Sequence, residues 1–99
     1  MNNKITIDFS EKRSEKRFPI NSEVKITIKS SNKTITGRCM NISGSGLLIS
    51  TDKAIGTDKE VLIDISEGKI EYGAEAAVVR CEETNGQFLI GIKVTNQIK

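Results

Sequence analysis

Two arginines near the start of the chain offer the first recognisable chemistry. Arg13 and Arg17 stand four residues apart in the charged segment 12–17. A guanidinium group can grip phosphate oxygens through two parallel hydrogen bonds, and it can also bind the O6/N7 edge of guanine. In a helical turn the two side chains share one face, and in a mobile arm they can still converge on one ligand. The pair predicts an anion-binding arm, although the same spacing also occurs in solvated charged segments.

A polar, glycine-rich segment in the middle of the chain is the second candidate for ligand binding. Asn41 and Ser43 supply short hydrogen-bond donors and acceptors, and Gly44 and Gly46 follow them in the chain. Because glycine has no Cβ, backbone N–H groups at such a turn can approach an anion closely. Taken alone, the segment fits an ordinary Gly-Ser turn as well as it fits a binding site.

The composition argues against catalysis. The 99 residues include no histidine and only two cysteines. A histidine general base, a Ser-His or Cys-His nucleophile pair and a histidine-rich metal site are therefore impossible. The carboxylates are scattered and none is paired with a nucleophile. We predict a binding domain that is not an enzyme and that carries no metal or other cofactor.

The cysteines and the amino terminus bear on the cellular compartment. The first residues lack an apolar stretch of the length that a signal peptide needs, and no apolar run is long enough to cross a membrane. In such a chain Cys39 and Cys81 are expected to be reduced thiols facing a β core. These features predict a cytoplasmic protein.

The net charge of +2 is unevenly distributed. Residues 1–38 contain nine Lys/Arg against four Asp/Glu, whereas residues 39–99 contain six against nine. The positive excess therefore lies at the front of the chain, around the two arginines. A basic leading arm on a nearly neutral body suggests an anionic ligand, and a solvated tail is the alternative interpretation.

The elements that must position these residues are predicted to be β-strands. Val24, Ile26 and Ile28 alternate with polar residues, which is the pattern of a strand with one buried face. The Asn85-Gly86 pair is the strongest hairpin signal, because both positions tolerate positive φ. About six short antiparallel strands follow from the pattern, with segments expected near 24–28, 34–42, 47–51, 61–65, 70–82 and 88–95. We predict an all-β fold, with a flexible arm over residues 1–19 and a barrel over residues 20–99.

The two motifs together resemble those of the PilZ domain family. An RxxxR in a leading arm is followed by an NxSxxG between β-strands, and the downstream segments 47–49, 55–57, 77–80 and 90–92 also fit the family pattern. The resemblance runs from about Glu11 to Val94. It implies a six-stranded antiparallel barrel that binds the bacterial second messenger cyclic di-GMP.

The resemblance also implies roles for individual residues. Arg13 and Arg17 would hold phosphate and guanine groups from the arm, while Asn41 and Ser43 would bind a guanine edge and a neighbouring phosphate. Gly46 would keep the turn open for close approach of the ligand. Secondary ligand contacts are expected from Lys12, Gly44, Arg38 and Lys93. In the family, the position of Lys12 is linked to whether one ligand or a stacked pair binds, and lysine leaves that open.

The resemblance implies a mechanism and leaves two rival functions. Ligand would bridge the arm to the barrel and create a new surface for a downstream protein. Many family members add a carboxy-terminal helix, whereas this chain ends shortly after its last predicted strand.

The two rival functions are a PilZ-like adaptor that binds only protein, with weak or no ligand binding, and a small nucleic-acid-binding barrel. The second rival would need exposed aromatic residues for base stacking, and the chain has few aromatic residues.

Overall fold

A computed structural model describes residues 18–98, and all of its regular elements are strands. They are β1 (Phe18–Ile28), β2 (Lys33–Ile42), β3 (Gly46–Thr51), β4 (Glu60–Glu67), β5 (Ile70–Thr84) and β6 (Gln87–Gln97). Each strand pairs antiparallel with its neighbours, and the order β1-β2-β3-β6-β5-β4 closes into a barrel. The predicted all-β, six-stranded antiparallel barrel is confirmed. Within residues 18–98 no helix is long and apolar enough to span a membrane.

The barrel interior is filled by the alternating apolar residues. Successive side chains of a strand point to opposite faces, so a period of two places one set inside the closed barrel. On β1, Val24 and Ile26 are fully buried while Lys25 is exposed. The other strands contribute the same kind of inward side chain, and the core is mostly aliphatic: Ile42, Leu47, Ile49, Val61, Ile63, Ile65, Ala74, Ala76, Val78, Ile90, Ile92 and Val94. Outside the strands, Ile55 is buried from the loop that joins β3 to β4.

A two-residue turn joins β5 to β6. Asn85 and Gly86 have φ values of 54° and 82°, and the flanking residues Thr84 and Gln87 pair with each other. Positive φ at both central positions matches the right-handed twist of the strands, which explains why Asn-Gly is favoured there. The hairpin predicted at this pair is confirmed.

β2 carries an extra residue in its pairing with β3, and β5 carries one in its pairing with β6. On β2 the pairing with β3 passes from Cys39↔Ile49 to Asn41↔Leu48, so Met40 has no partner in the ladder. On β5 the pairing with β6 skips Val79 in the same way. Such β-bulges bend the strand and change the direction in which the next side chains point. Both extra residues are exposed apolar side chains, Met40 by 42% and Val79 by 56%.

The first strand begins at Phe18, two residues before the predicted start of the barrel. Residues 1–17, which make up nearly all of the predicted arm, lie outside the described residues. The flexibility of the arm and the division of the chain into an arm and a barrel therefore stay predictions.

The two cysteines lie on opposite sides of the barrel. Cys39 belongs to β2 and Cys81 to β5, and these strands stand three places apart in a closed ring of six. At a spacing of about 4.8 Å between neighbouring strands, their separation exceeds the reach of a disulfide. Both thiols are free; Cys39 is buried and Cys81 is half-buried against the core.

Candidate functional site

The polar turn between β2 and β3 is closed by Ser43. Its backbone N–H donates to the carbonyl of Gly46 at 2.8 Å, and its hydroxyl is 3.4 Å from the same oxygen. Ser43 is only 7% exposed. The neighbouring Ser45 is exposed at the tip, and its carbonyl accepts a 2.8 Å hydrogen bond from the N–H of Val94 on β6. The turn is thus fastened at its base and also to the adjacent strand.

Gly46 is required by the packing of two strands. A Cβ built on this residue would collide with the carbonyl oxygen of Ile92 and lie 3.3 Å from its carbonyl carbon. Backbone atoms of a paired strand cannot rotate away as a flexible side chain can. The space left by the missing side chain is therefore occupied by β6, which is a physical reason for glycine that the sequence did not suggest.

The start of β1 lies beside the motif. Phe18 pairs with Ile42, and Pro19 pairs with the half-buried Asn41. Arg17, which precedes Phe18 in the chain, lies outside the described residues, as do Arg13 and Lys12. By chain connectivity, residue 17 directly precedes the strand that borders the first residues of the motif.

A buried thiol supports the backbone of the motif from inside the barrel. The Sγ of Cys39 lies 3.4 Å from the carbonyl oxygen of Asn41, to which the thiol donates. Burial raises the pKa of the Cys39 thiol to about 12. Burial, with a smaller contribution from Cys39, also raises the pKa of Tyr72 to about 12. At neutral pH the thiol therefore keeps the proton that it donates.

An open cavity of about 280 Å³ adjoins the turn on the outer face of β3, β6 and β5. Ser43 and Gly46 belong to its wall, together with Lys93 and Arg80. The complete lining consists of Ser43, Ser45, Gly46, Leu47, Leu48, Val79, Arg80, Gly91, Ile92 and Lys93. The two cations favour an anionic occupant, and no carboxylate lines the cavity.

The cavity wall includes Arg80, which the sequence did not mark as a functional candidate, and it leaves out three described residues that the sequence did mark: Asn41, Arg38 and Gly44. Arg80 was assigned only to a strand, because no local signal indicates that the bulge at Val79 turns it toward the motif. Arg38, expected as a secondary contact, lies in a separate groove, where its guanidinium donates to the carbonyl of Asn21 at 2.8 Å. Gly44 is buried within the turn and does not line the cavity. Among residues 18–98, no cluster of three or more His, Cys, Asp or Glu could hold a metal ion.

These features define a small closed antiparallel barrel with a polar turn at one rim and a cation-lined cavity beside it. The chain belongs to the PilZ domain family, whose family model, described as PilZ domain, matches residues 11–98. Among curated proteins, no sequence matched this chain.

Solved structures with the same fold include three bacterial examples. The PilZ domain of YcgR from Escherichia coli, solved with c-di-GMP, is 14% identical with a TM-score of 0.70, over 87% of this chain and 79% of that one. The Bacillus subtilis inhibitor of motility, MotI/DgrA, is 16% identical with a TM-score of 0.70, and 87% of this chain covers 44% of that protein. The PilZ domain of CeSA from a cellulose-synthesizing bacterium is 19% identical with a TM-score of 0.59, over 82% and 83% of the two chains. At these identities the likeness establishes the fold, and this chain spans less than half of the motility inhibitor.

Proposed function

We propose that this chain is a receptor domain for cyclic di-GMP that works by binding and not by catalysis. The observation that carries the proposal is the composition of the cavity wall, which joins the motif residues Ser43 and Gly46 to the cations Arg80 and Lys93. A dianionic ligand with two guanine bases suits cationic side chains beside short polar groups and exposed backbone. Family membership and the E. coli PilZ domain solved with c-di-GMP support the choice of ligand.

In the proposed mechanism the ligand bridges the two parts of the site. Arg13 and Arg17 grip it from the arm, and Asn41, Ser43 and the backbone at Gly46 hold it on the barrel. The entry of the chain at Phe18, opposite Ile42, supports this arrangement, because the arm joins the barrel next to the motif. Ligand and arm would then cover this end of the barrel and change the surface offered to a downstream protein in the cytoplasm.

The described aromatic side chains favour a cyclic dinucleotide over single-stranded nucleic acid. Tyr72 is buried, and Phe18 and Phe88 are half-buried. Barrels that bind single strands stack successive bases on exposed aromatic rings. A competition experiment with single-stranded DNA and RNA tests this preference, and displacement of cyclic di-GMP by either one would contradict it.

Isothermal titration with cyclic di-GMP tests the site assignment directly. Arg13→Ala and Ser43→Ala should each weaken binding, and the arginine variant should lose about 10- to 100-fold in affinity, the usual value of a charge-assisted contact. Lys33→Ala is the matched control, because it also removes one positive charge but lies exposed at the far end of β2.

Two different outcomes would contradict two different statements. A folded wild-type chain that produces no binding signal would contradict the proposed function. Binding by the wild type with unchanged affinity in both Arg13→Ala and Ser43→Ala would leave the ligand in place and refute the site. Melting temperatures measured by circular dichroism confirm that each variant is folded.

A further inference from the structure

The last part of β5 pairs with another strand on one side only. β4 accompanies β5 as far as Ala77, and Val78 then makes two backbone hydrogen bonds, of 2.9 Å and 2.7 Å, with the residues just before β4. Beyond that point, the strand pairings and backbone hydrogen bonds of residues 18–98 join β5 only to β6. We call the side of residues 79–84 that faces away from β6 the open edge.

The hairpin turn decides which backbone groups reach the open edge. Thr84 and Gln87 flank the two-residue turn, so they exchange backbone hydrogen bonds, and every second residue pair back along the hairpin does the same. Glu82 therefore directs its N–H and C=O toward β6. Cys81 and Glu83 direct theirs toward the open edge, where a further strand can pair with them.

Two side chains of opposite charge lie on one face of this segment. Arg80 and Glu82 are two residues apart, the distance from Nε to Oε2 is 3.8 Å, and the side chains are 59% and 63% exposed. Charged side chains on an edge strand usually keep copies of a protein from pairing. A cation and an anion at alternate positions can instead each meet the opposite charge when a second copy pairs antiparallel.

Backbone geometry allows three two-fold registers, since Cys81 and Glu83 must be the residues that exchange hydrogen bonds. Pairing Cys81 with Cys81 of the second copy places Arg80 opposite Glu82 of the second copy, and the symmetry repeats this ion pair. Pairing Cys81 with Glu83 of the second copy places the two Glu82 side chains opposite each other. Pairing Glu83 with Glu83 of the second copy also brings two carboxylates together. Charge therefore selects the register centred on Cys81.

We propose that two copies of this chain associate through their open edges, antiparallel and centred on Cys81. Opposed residues that do not exchange backbone hydrogen bonds lie closest, about 4.5 Å apart between Cα atoms, and the two Arg80–Glu82 pairs take these positions. The interface is small compared with the roughly 20–30 residues a side of a standard complex, so the dimer is weak. This inference does not depend on the proposed function.

Sedimentation equilibrium of the full chain, without cyclic di-GMP and with a reductant at low salt, tests the dimer. The wild type should associate with a dissociation constant below about 1 mM. Glu82→Arg makes both ion pairs repulsive, so it should weaken association about tenfold, as should Arg80→Glu. The double exchange Arg80→Glu with Glu82→Arg should restore association to within about threefold of the wild type. Glu71→Arg is the matched control, because it makes the same charge change at an exposed position of β5 that is paired with β4.

Amide hydrogen exchange identifies the register. The Cys81 N–H donates to the second copy in the proposed pairing, so its exchange should slow as the concentration of the chain rises. A wild-type chain that remains monomeric at about 1 mM would overturn the inference. Association that Glu82→Arg leaves unchanged, or that the double exchange does not restore, would place the contact elsewhere and overturn it too. These results leave the proposed function intact, because no ligand is present.

Discussion

Gly46→Ala is expected to damage the barrel because the backbone of β6 fills the place of the missing side chain. The added methyl group would collide with the Ile92 carbonyl, and Lys93 Cα lies 3.6 Å away. To make room, β3 and β6 must separate close to the 2.8 Å hydrogen bond from Val94 N–H to Ser45 O, which joins the turn to β6.

The size of the effect follows from these contacts. This hydrogen bond contributes about 0.5–1.5 kcal/mol to the free energy of unfolding, and forcing a methyl group into a filled space costs about 1–3 kcal/mol. Gly46→Ala should therefore lower the free energy of unfolding by about 3 kcal/mol, a large share of the 5–15 kcal/mol typical of a domain. At about 4–8 °C per kcal/mol for a chain of this size, the melting temperature should fall by roughly 12–24 °C.

Thermal and urea unfolding followed by far-ultraviolet circular dichroism measure this change, since the chain has no tryptophan for fluorescence. Gly91→Ala is the matched control, because a Cβ there meets Arg80 only at ordinary contact distances of 3.5–3.6 Å. That variant should stay within about 1 kcal/mol of the wild type. Equal stability of the two variants would refute the steric explanation for Gly46.

Two further predictions concern stability. Gly86→Ala should lower the free energy of unfolding by about 1 kcal/mol. The surroundings of Gly86 are open, but its φ of 82° strains any residue that has a side chain. Urea titration measures the change, and an unchanged urea midpoint would contradict the prediction. The free energy of unfolding should also fall as the pH rises from about 9 to about 12. In the folded chain the pKa values of the Cys39 thiol and the Tyr72 phenol are about 12, against ordinary values of 9.0 and 10.0. The unfolded chain therefore releases these protons first, and the folded state loses stability. Urea titrations across this range should give a shallower fall in Cys39→Ala and in Tyr72→Phe, and an unaltered pH dependence in both would contradict the assignment.

The barrel could be predicted because its information is local. Alternation of apolar and polar residues marks strands such as β1, and the Asn85-Gly86 turn fixes one hairpin by its backbone preference. The beginning of β1 was less accessible, because regular alternation of apolar and polar residues starts only at Val24 and Pro19 is a residue that strand interiors usually lack. Proline is tolerated near a strand end, and here it pairs with Asn41.

The site could be predicted only in part, because its remaining members depend on long-range register. Asn41, Ser43 and Gly46 stand close in sequence, and their motif marks them. Arg80 reaches the cavity through a bulge whose position depends on how β5 pairs with β6. Arg38 stands only three residues before Asn41, yet it faces a different groove. Spacing along a strand therefore does not identify the neighbours of a residue on the barrel surface.

Phe18 pairs with Ile42, so the proposed ligand would contact two parts of one chain, the residues before Phe18 and the motif on the barrel. Because residues 1–17 directly precede the strand that borders the motif, the proposed contacts of Arg13 and Arg17 with a barrel-bound ligand would form at an effective concentration set by a short tether. For short flexible tethers that concentration is about millimolar, without any additional contact. A peptide of residues 1–17 supplied separately to a barrel of residues 18–99 would need a comparable concentration in solution to replace the attached arm. The covalent link between the arm and β1 would then raise the affinity for the ligand, in addition to the side-chain contacts.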